Sequence, residues 1–315
     1  MSLGDGSEGT GPAVCLSVLR RAQYSNDEKP LMQVLVNCGE CACRILNETR
    51  TKLSRVSHVL VTRCEPTRIS GISSLLFHLS DKGSASLSFV GPTPLHSYIE
   101  TVRTFVRRRF PEIEVAEVGA EGDKGFAFNS SSDDPDTFAW AQSRAPHTGV
   151  SIHAIPMTAT SNKRQKTLHG DCIENSSSRS RPVLSYAFLI RGPPPQPHKD
   201  SDANATRQTL FVVVDHADEQ VDASQVCQAI TSWLEQMEMK SKDGKLRDDL
   251  HQRVMLHLGT RSVLESAEFR SLRERDVFQL FQHVELCTNE ASSGPCAVEK
   301  EEIEMILDTG RSHEI

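Results

Sequence analysis

LVTRCEPTRISGISSLL, residues 60–76, passes from an apolar run at 59–61 through a polar hinge at 63–68 into a segment whose apolar residues return at helical spacing from Ile69. The outline is strand, tight loop, helix. Loops of that kind present ligands to metals or phosphates. A hydrolytic dinuclear zinc site needs imidazoles and carboxylates converging on two cations roughly 3.5–4 Å apart. The hinge holds no histidine and no aspartate. Arg63 and Arg68 would repel such ions, and Glu65, flanked by both, is expected to pair with them.

Working outward, valine- and leucine-rich runs predict strands at 13–19, 31–36, 59–61, 87–90, 150–155, 183–190, 210–214 and 254–258. Several lack any polar face, which suits sheets covered on both sides. Helical spacing predicts a helix through Leu95, Tyr98, Ile99, Val102, Phe105 and Val106. Val226, Ile230, Trp233, Leu234 and Met237 predict a second, and 263–272 a third, more charged one. The alternation is that of an α/β protein. Polar stretches at 119–148, 158–182 and 192–208 lack the apolar content for a core and are expected as loop insertions, as are disorder at 1–12 and a tail at 308–315.

Composition narrows the class. The chain has 315 residues and a formal net charge of −7, which argues against indiscriminate nucleic-acid binding because phosphate affinity comes from Lys and Arg. No run is long and apolar enough to predict a membrane partner. Neither G-x-G-x-x-G nor G-x-x-x-x-G-K-[ST] occurs, so no nucleotide cofactor is expected. Nine cysteines without framework spacing predict reduced thiols and an intracellular location.

Other candidate residues carry less chemistry. In NCGECACR, Asn37, Cys38, Gly39 and Glu40 read as a tight turn into a helix, with Gly39 supplying an unusual backbone angle. Cys38, Cys41 and Cys43 lack the second cysteine pair that zinc needs, so packing is the better reading. Asp215 and His216 close a strand, where α/β sites gather ligands, yet without partners from the hinge they read as a solvated loop. His153 reads as a half-buried strand histidine, and His169 and Asp171 lie in a tract too polar to hold a base in place. Arg107 and Arg108 are candidates for phosphate contacts at the end of the helix from Leu95, though favouring that helix's negative end is the commoner use. KRQK at 163–166 is a candidate nuclear address.

The succession NCGE, then LVTRCEPTRISGISSLLFHL, then SFVGPTPLHSYIETV resembles the metallo-β-lactamase fold of tRNase Z, the endonuclease that trims tRNA 3′ ends. VLSYAFLIRG, LFVVVDHADE and MLHLGTRSVLESAEFRSLRER continue the resemblance in order, from about Val14 to about Leu307. It implies a four-layer αββα sandwich. Catalytic members carry His-x-His-x-Asp-His in the hinge and bind zinc. Aligned on Thr62 and Gly71, this chain places Arg63, Glu65, Thr67 and Arg68 at those four positions.

The resemblance therefore implies the inactive amino-terminal half of a long tRNase Z, with no catalytic residues and no metal ligands of its own. Its expected partners are a catalytic tRNase Z domain or subunit and tRNA, in nucleus, cytoplasm or mitochondrion. The chain is expected to stop about where the catalytic half would begin. The interval GPPPQPHKDSDANATRQT is too short for the family's tRNA-gripping arm. Two alternatives stand: a zinc phosphodiesterase using atypical ligands such as Glu65, Asp215 and His216, and an interaction module outside RNA metabolism.

Overall fold

Apolar runs with no polar face need cover on both sides, and the fold provides it with three separate cores. The computed structural model describes residues 2–4, 12–21, 28–84, 86–105, 108–118, 150–159, 183–191, 208–216, 221–222, 227, 231 and 250–288. These form two six-stranded sheets. The first contains, side by side, β1 (Ser2–Gly4), β2 (Ala13–Arg21), β3 (Glu28–Val36), β4 (Val56–Leu60), β5 (Ser86–Pro92) and β6 (Glu112–Val118). In the second, β7 (Ser151–Ala159), β8 (Val183–Arg191), β9 (Gln208–Asp215), β11 (Leu250–Thr260) and β12 (Gln282–Thr288) lie in that order, with the short β10 (Val221–Asp222) outside β7.

Each sheet is antiparallel on one side and parallel on the other. Strands β1 to β3 pair antiparallel, and β3 to β6 pair parallel. In the second sheet β10, β7, β8 and β9 are antiparallel, and β9, β11 and β12 parallel. Parallel neighbours require crossovers, and helices stand in those made of described residues. Helix α1 (Ala42–Glu48) joins β3 to β4, α2 (Pro66–Ile69) and α3 (Ile72–Asp81) join β4 to β5, and α4 (Leu95–Phe105) joins β5 to β6. Helices α5 (Arg261–Leu264), α6 (Ala267–Arg273) and α7 (Asp276–Gln279) join β11 to β12.

The period of two along the strands sorts side chains between cores. Val34 and Val36 of β3 belong to the core shared with Phe188, Ile190 and Val213 of the second sheet, while Leu35 between them belongs to the core shared with Leu46 of α1 and Leu75 and Leu76 of α3. On the far side, Val212, Val214 and Met255 pack under Leu264, Phe269 and Phe278. The order is helix, sheet, sheet, helix, a metallo-β-lactamase-type αββα sandwich. Full burial of a side chain such as Phe89 or Phe188 stabilises by about 1.5–3 kcal/mol.

The expected strands are all present, several longer than their apolar runs. β7 reaches Ala159 and β9 starts at Gln208, both inside stretches expected as insertions. Ser2–Gly4, expected as disordered, pairs with β2. Strands β6 and β12 lacked a sequence signal of the kind sought, because EIEVAEV and QHVELCT alternate charge with apolar residues instead of forming apolar runs. That alternation suits sheet edges, where charge discourages further pairing.

Helix α4 corrects its predicted arc. Leu95 and Ile99 are buried with Tyr98 and Val102 beside them, but Phe105 is 83% exposed at the last turn. Phe105→Ser is accordingly expected to change stability by no more than about 0.5 kcal/mol in denaturant unfolding. The predicted helix at 263–272 is broken into α5 and α6 at Glu265 and Ser266. Of the helix predicted around Val226 to Met237, Cys227 and Thr231 are described and helical. Val106, His169, Asp171, KRQK and the 308–315 tail lie outside the described residues.

Candidate functional site

The hinge lies where the end of β4 meets the end of β9. Pro66 opens α2 at its first turn, where a missing N–H costs nothing. The loop is then fastened to the β3–α1 turn: Cys38 N–H donates to the Arg68 carbonyl and Gly71 N–H to the Cys38 carbonyl, both at 2.8 Å. That approach is so close that a Cβ on Gly71 would sit 2.1 Å from the Gly39 carbonyl oxygen. The turn's unusual angles correct an expectation about Gly39. Positive φ occurs at Asn37 (58°) and Cys41 (64°) instead. Asparagine tolerates that region, and Asn37 Oδ1 accepts from Thr62 N–H at 2.9 Å, with Thr62 Oγ1 3.0 Å away.

At the centre stands Asp215, which corrects the reading of a solvated loop: it is fully buried, and His216 nearly so. Arg68 grips its carboxylate with two nitrogens, Nε to Oδ2 at 2.9 Å and Nη2 to Oδ1 at 3.2 Å. Thr62 Oγ1 donates to Oδ2, and Arg63 Nη2 approaches Oδ1 at 3.4 Å. Burial alone would push this carboxyl up. The Arg68 guanidinium, with Arg63 and the Thr62 hydroxyl, outweighs burial and holds it well below the usual carboxylate range. Within the second sheet Ser185 Oγ donates to the Asp215 carbonyl at 2.7 Å, and Tyr186 N–H ties that sheet to the hinge by donating to the Thr62 carbonyl at 3.0 Å.

The other predicted residues fall into place around this pair. Glu65, 48% exposed, accepts from Arg63 Nη1 at 2.9 Å. Thr67 is exposed and accepts from Arg68 Nη1 at 3.1 Å. Cys38 and Cys43 are buried and share a thiol hydrogen bond, which raises the Cys38 thiol and lowers that of Cys43. Glu40 is exposed. Arg107 lies outside the described residues, whereas Arg108 follows the end of α4 and reaches α3, bonding Asp81 at 2.6 Å with its guanidinium 5.7 Å from the Phe77 ring centre. His153 is on β7; its side chain is outside the described residues.

A divalent cation here would need lone pairs turned toward it. Both Asp215 oxygens instead accept from guanidinium and hydroxyl donors, and the four hinge positions supply two cations, a hydroxyl and a carboxylate already bonded to Arg63. The donor set does not fit zinc. Among the described residues, no three His, Cys, Asp or Glu side chains gather as a metal site.

No family model matches the chain. Zinc phosphodiesterase ELAC protein 2 of Homo sapiens is 30% identical over 71 residues, 22% of this chain and 9% of that protein. Ribonuclease Z, mitochondrial, of Drosophila melanogaster is 31% identical over 104 residues, 33% of this chain and 12% of that protein. The matches thus span a small fraction of either relative's length. Among solved structures, human tRNase Z, short form, aligns over 91% of both chains with 14% identity and a TM-score of 0.46. A long form RNase Z from yeast aligns over 82% of this chain and 32% of its own, with 13% identity and a TM-score of 0.43. Over those segments the chain is similar in sequence to enzymes named zinc phosphodiesterase ELAC protein 2 and ribonuclease Z, and its own fold is the αββα sandwich that the resemblance implies.

Proposed function

We propose that the chain is the counterpart of the non-catalytic amino-terminal half of a long tRNase Z, a structural or tRNA-positioning unit that works beside a separate catalytic half. One observation carries this reading: the Arg68–Asp215 pair sets a guanidinium where the resemblance implies metal. In a catalytic relative zinc ionises a water for attack on the phosphodiester. Here Arg68, Arg63 and Thr62 saturate Asp215, so the same corner holds hinge and second sheet in register instead. Buried ion pairs are weak net stabilisers but costly to break, which suits a fixing role better than an energetic one.

The zinc-dependent alternative finds no support in the geometry. Glu65 and Asp215 are both engaged by Arg63, and His216 Nε2 turns to His257 at 2.9 Å. Zinc would be brought by the partner domain. The acidic balance of the chain makes strong tRNA binding by it alone a poor expectation, so positioning would be felt mainly in the complex. Location in nucleus, cytoplasm or mitochondrion would follow that partner.

The test is to mix the purified chain with a separately produced catalytic tRNase Z domain. Co-elution in size-exclusion chromatography and a rise of roughly tenfold or more in kcat/KM on precursor tRNA, equivalent to about 1.4 kcal/mol, are expected. If the two elute apart, kcat/KM is unchanged and no salt-sensitive tRNA binding is found, the reading fails and an interaction module outside RNA metabolism takes its place.

A further inference from the structure

On the second sheet three imidazoles run head to tail. His216, just past β9, places Nε2 2.9 Å from Nδ1 of His257 on β11, and His257 places Nε2 2.8 Å from Nδ1 of His283 on β12. His283 Nε2 lies 2.9 Å from the Phe278 carbonyl at α7. Successive ring centres are 5.2 and 5.1 Å apart, and Phe269 of α6 meets His216 and His257 edge-on.

The end of the chain assigns every proton. A carbonyl only accepts, so His283 carries its hydrogen on Nε2, and its Nδ1 lone pair must accept from His257 Nε2–H. The same step passes to His216. All three rings are thereby neutral Nε2–H tautomers bonded in one direction. A further proton on Nδ1 of His257 or His283 sets N–H against N–H and breaks a link.

The ionisable groups around the relay, among the described residues, are few. Asp215 precedes His216 and favours its charged form, against the larger effect of burial, which pushes that ring down to about 4. Burial, then the neighbouring rings and Arg273 of α6, hold His257 well below the ordinary imidazole range. His283 is lowered by burial and by Arg273, against its bond to the Phe278 carbonyl. Arg273 itself pairs with Glu285 of β12.

We propose that His216, His257 and His283 form an acid-sensitive latch that joins β9, β11 and β12 to the helices above them, closed while the rings are neutral and opened by protonation. This stands apart from the tRNase Z reading and does not depend on it. Because the folded rings bind protons less readily than unfolded histidine, the latch's contribution is complete above about pH 6.5 and is lost progressively over the acid window below it. Up to three protons are taken up on unfolding, so the unfolding constant rises by as much as about 1,000-fold per pH unit inside that window. His58, buried on β4 and also lowered to about 4, adds one proton of its own. Asp215 titrates below the window and does not blur it.

The experiment is urea unfolding of the full chain in a His58→Gln background between about pH 5 and 7, with ring nitrogen NMR of the same protein. Two to three protons are expected from the slope, with three Nε2–H rings at pH 7. His257→Gln should lower the slope by more than one proton, since it also frees the neighbouring rings. If that variant does not fold, the NMR decides: any of the three rings protonated on Nδ1 or charged at pH 7 overturns the latch. So does a slope below one proton in the His58→Gln background.

Discussion

Replacing Arg68 with alanine is expected to destabilise the chain by about 3–5 kcal/mol, because it leaves the fully buried Asp215 carboxylate without its bidentate cation. For a chain of this size that corresponds to a fall of roughly 10 °C in the thermal midpoint. The paired change Arg68→Met with Asp215→Leu removes both charges and should recover most of the loss, since apolar replacement of a buried pair is often neutral or better. A double-mutant cycle by denaturant unfolding separates the two cases. The pH dependence has a definite sign. Asp215 is held below its unfolded range by Arg68, so its contribution is intact above about pH 4 and disappears as pH falls below that in the wild type.

The second large effect is expected at Gly71. An alanine methyl there meets the Gly39 carbonyl oxygen at 2.1 Å, with the Cys38 carbonyl oxygen at 3.0 Å. Both are backbone atoms, so no rotamer change relieves the clash. The turn at 37–41 or the start of α3 must move, and the bond from Gly71 N–H to the Cys38 carbonyl is lost with it. Gly71→Ala should cost about 3 kcal/mol or more, at the upper end of overpacking in a filled core. Ser74→Ala, one turn along the same helix, is the control. A Gly71→Ala protein with a wild-type unfolding midpoint would mean the hinge is not packed against the turn as described.

The first half of the fold was legible because its signals are local. Strand, proline, glycine and helix spacing follow one another within residues 59–76, and the apolar runs at 31–36 and 87–90 need no partner to be recognised. Strands β6 and β12 were hidden for the opposite reason, since their acidic alternation looks like solvent-facing chain until a sheet edge is known to be there. In the hinge, the mismatch of Arg63 and Arg68 with a cation site could be read from charge alone.

What could not be read was where those cations go. Asp215 lies 147 residues from Arg68, and nothing in LFVVVDHADE says that the strand end is buried against another strand end. With the partner unknown, an aspartate and a histidine after an apolar run read naturally as solvated. The relay was equally invisible: its links join residues 41 and 26 positions apart, and only the parallel register of β9, β11 and β12 stacks the rings. The turn at Asn37 shows a smaller version of the same limit. Gly39 is the obvious candidate for a positive φ, yet the angle falls on Asn37, whose side chain is needed to hold Thr62 beside Asp215.

At the end of β4 a guanidinium is bonded to Asp215, in a corner whose donors do not fit a divalent ion. The most direct measurement is the zinc content of the purified chain after equilibration with excess zinc and removal of the free ion, with precursor tRNA cleavage followed on the same sample. Far less than one bound zinc per chain and no cleavage are expected. Two zinc ions per chain, together with cutting that a chelator abolishes, would contradict this.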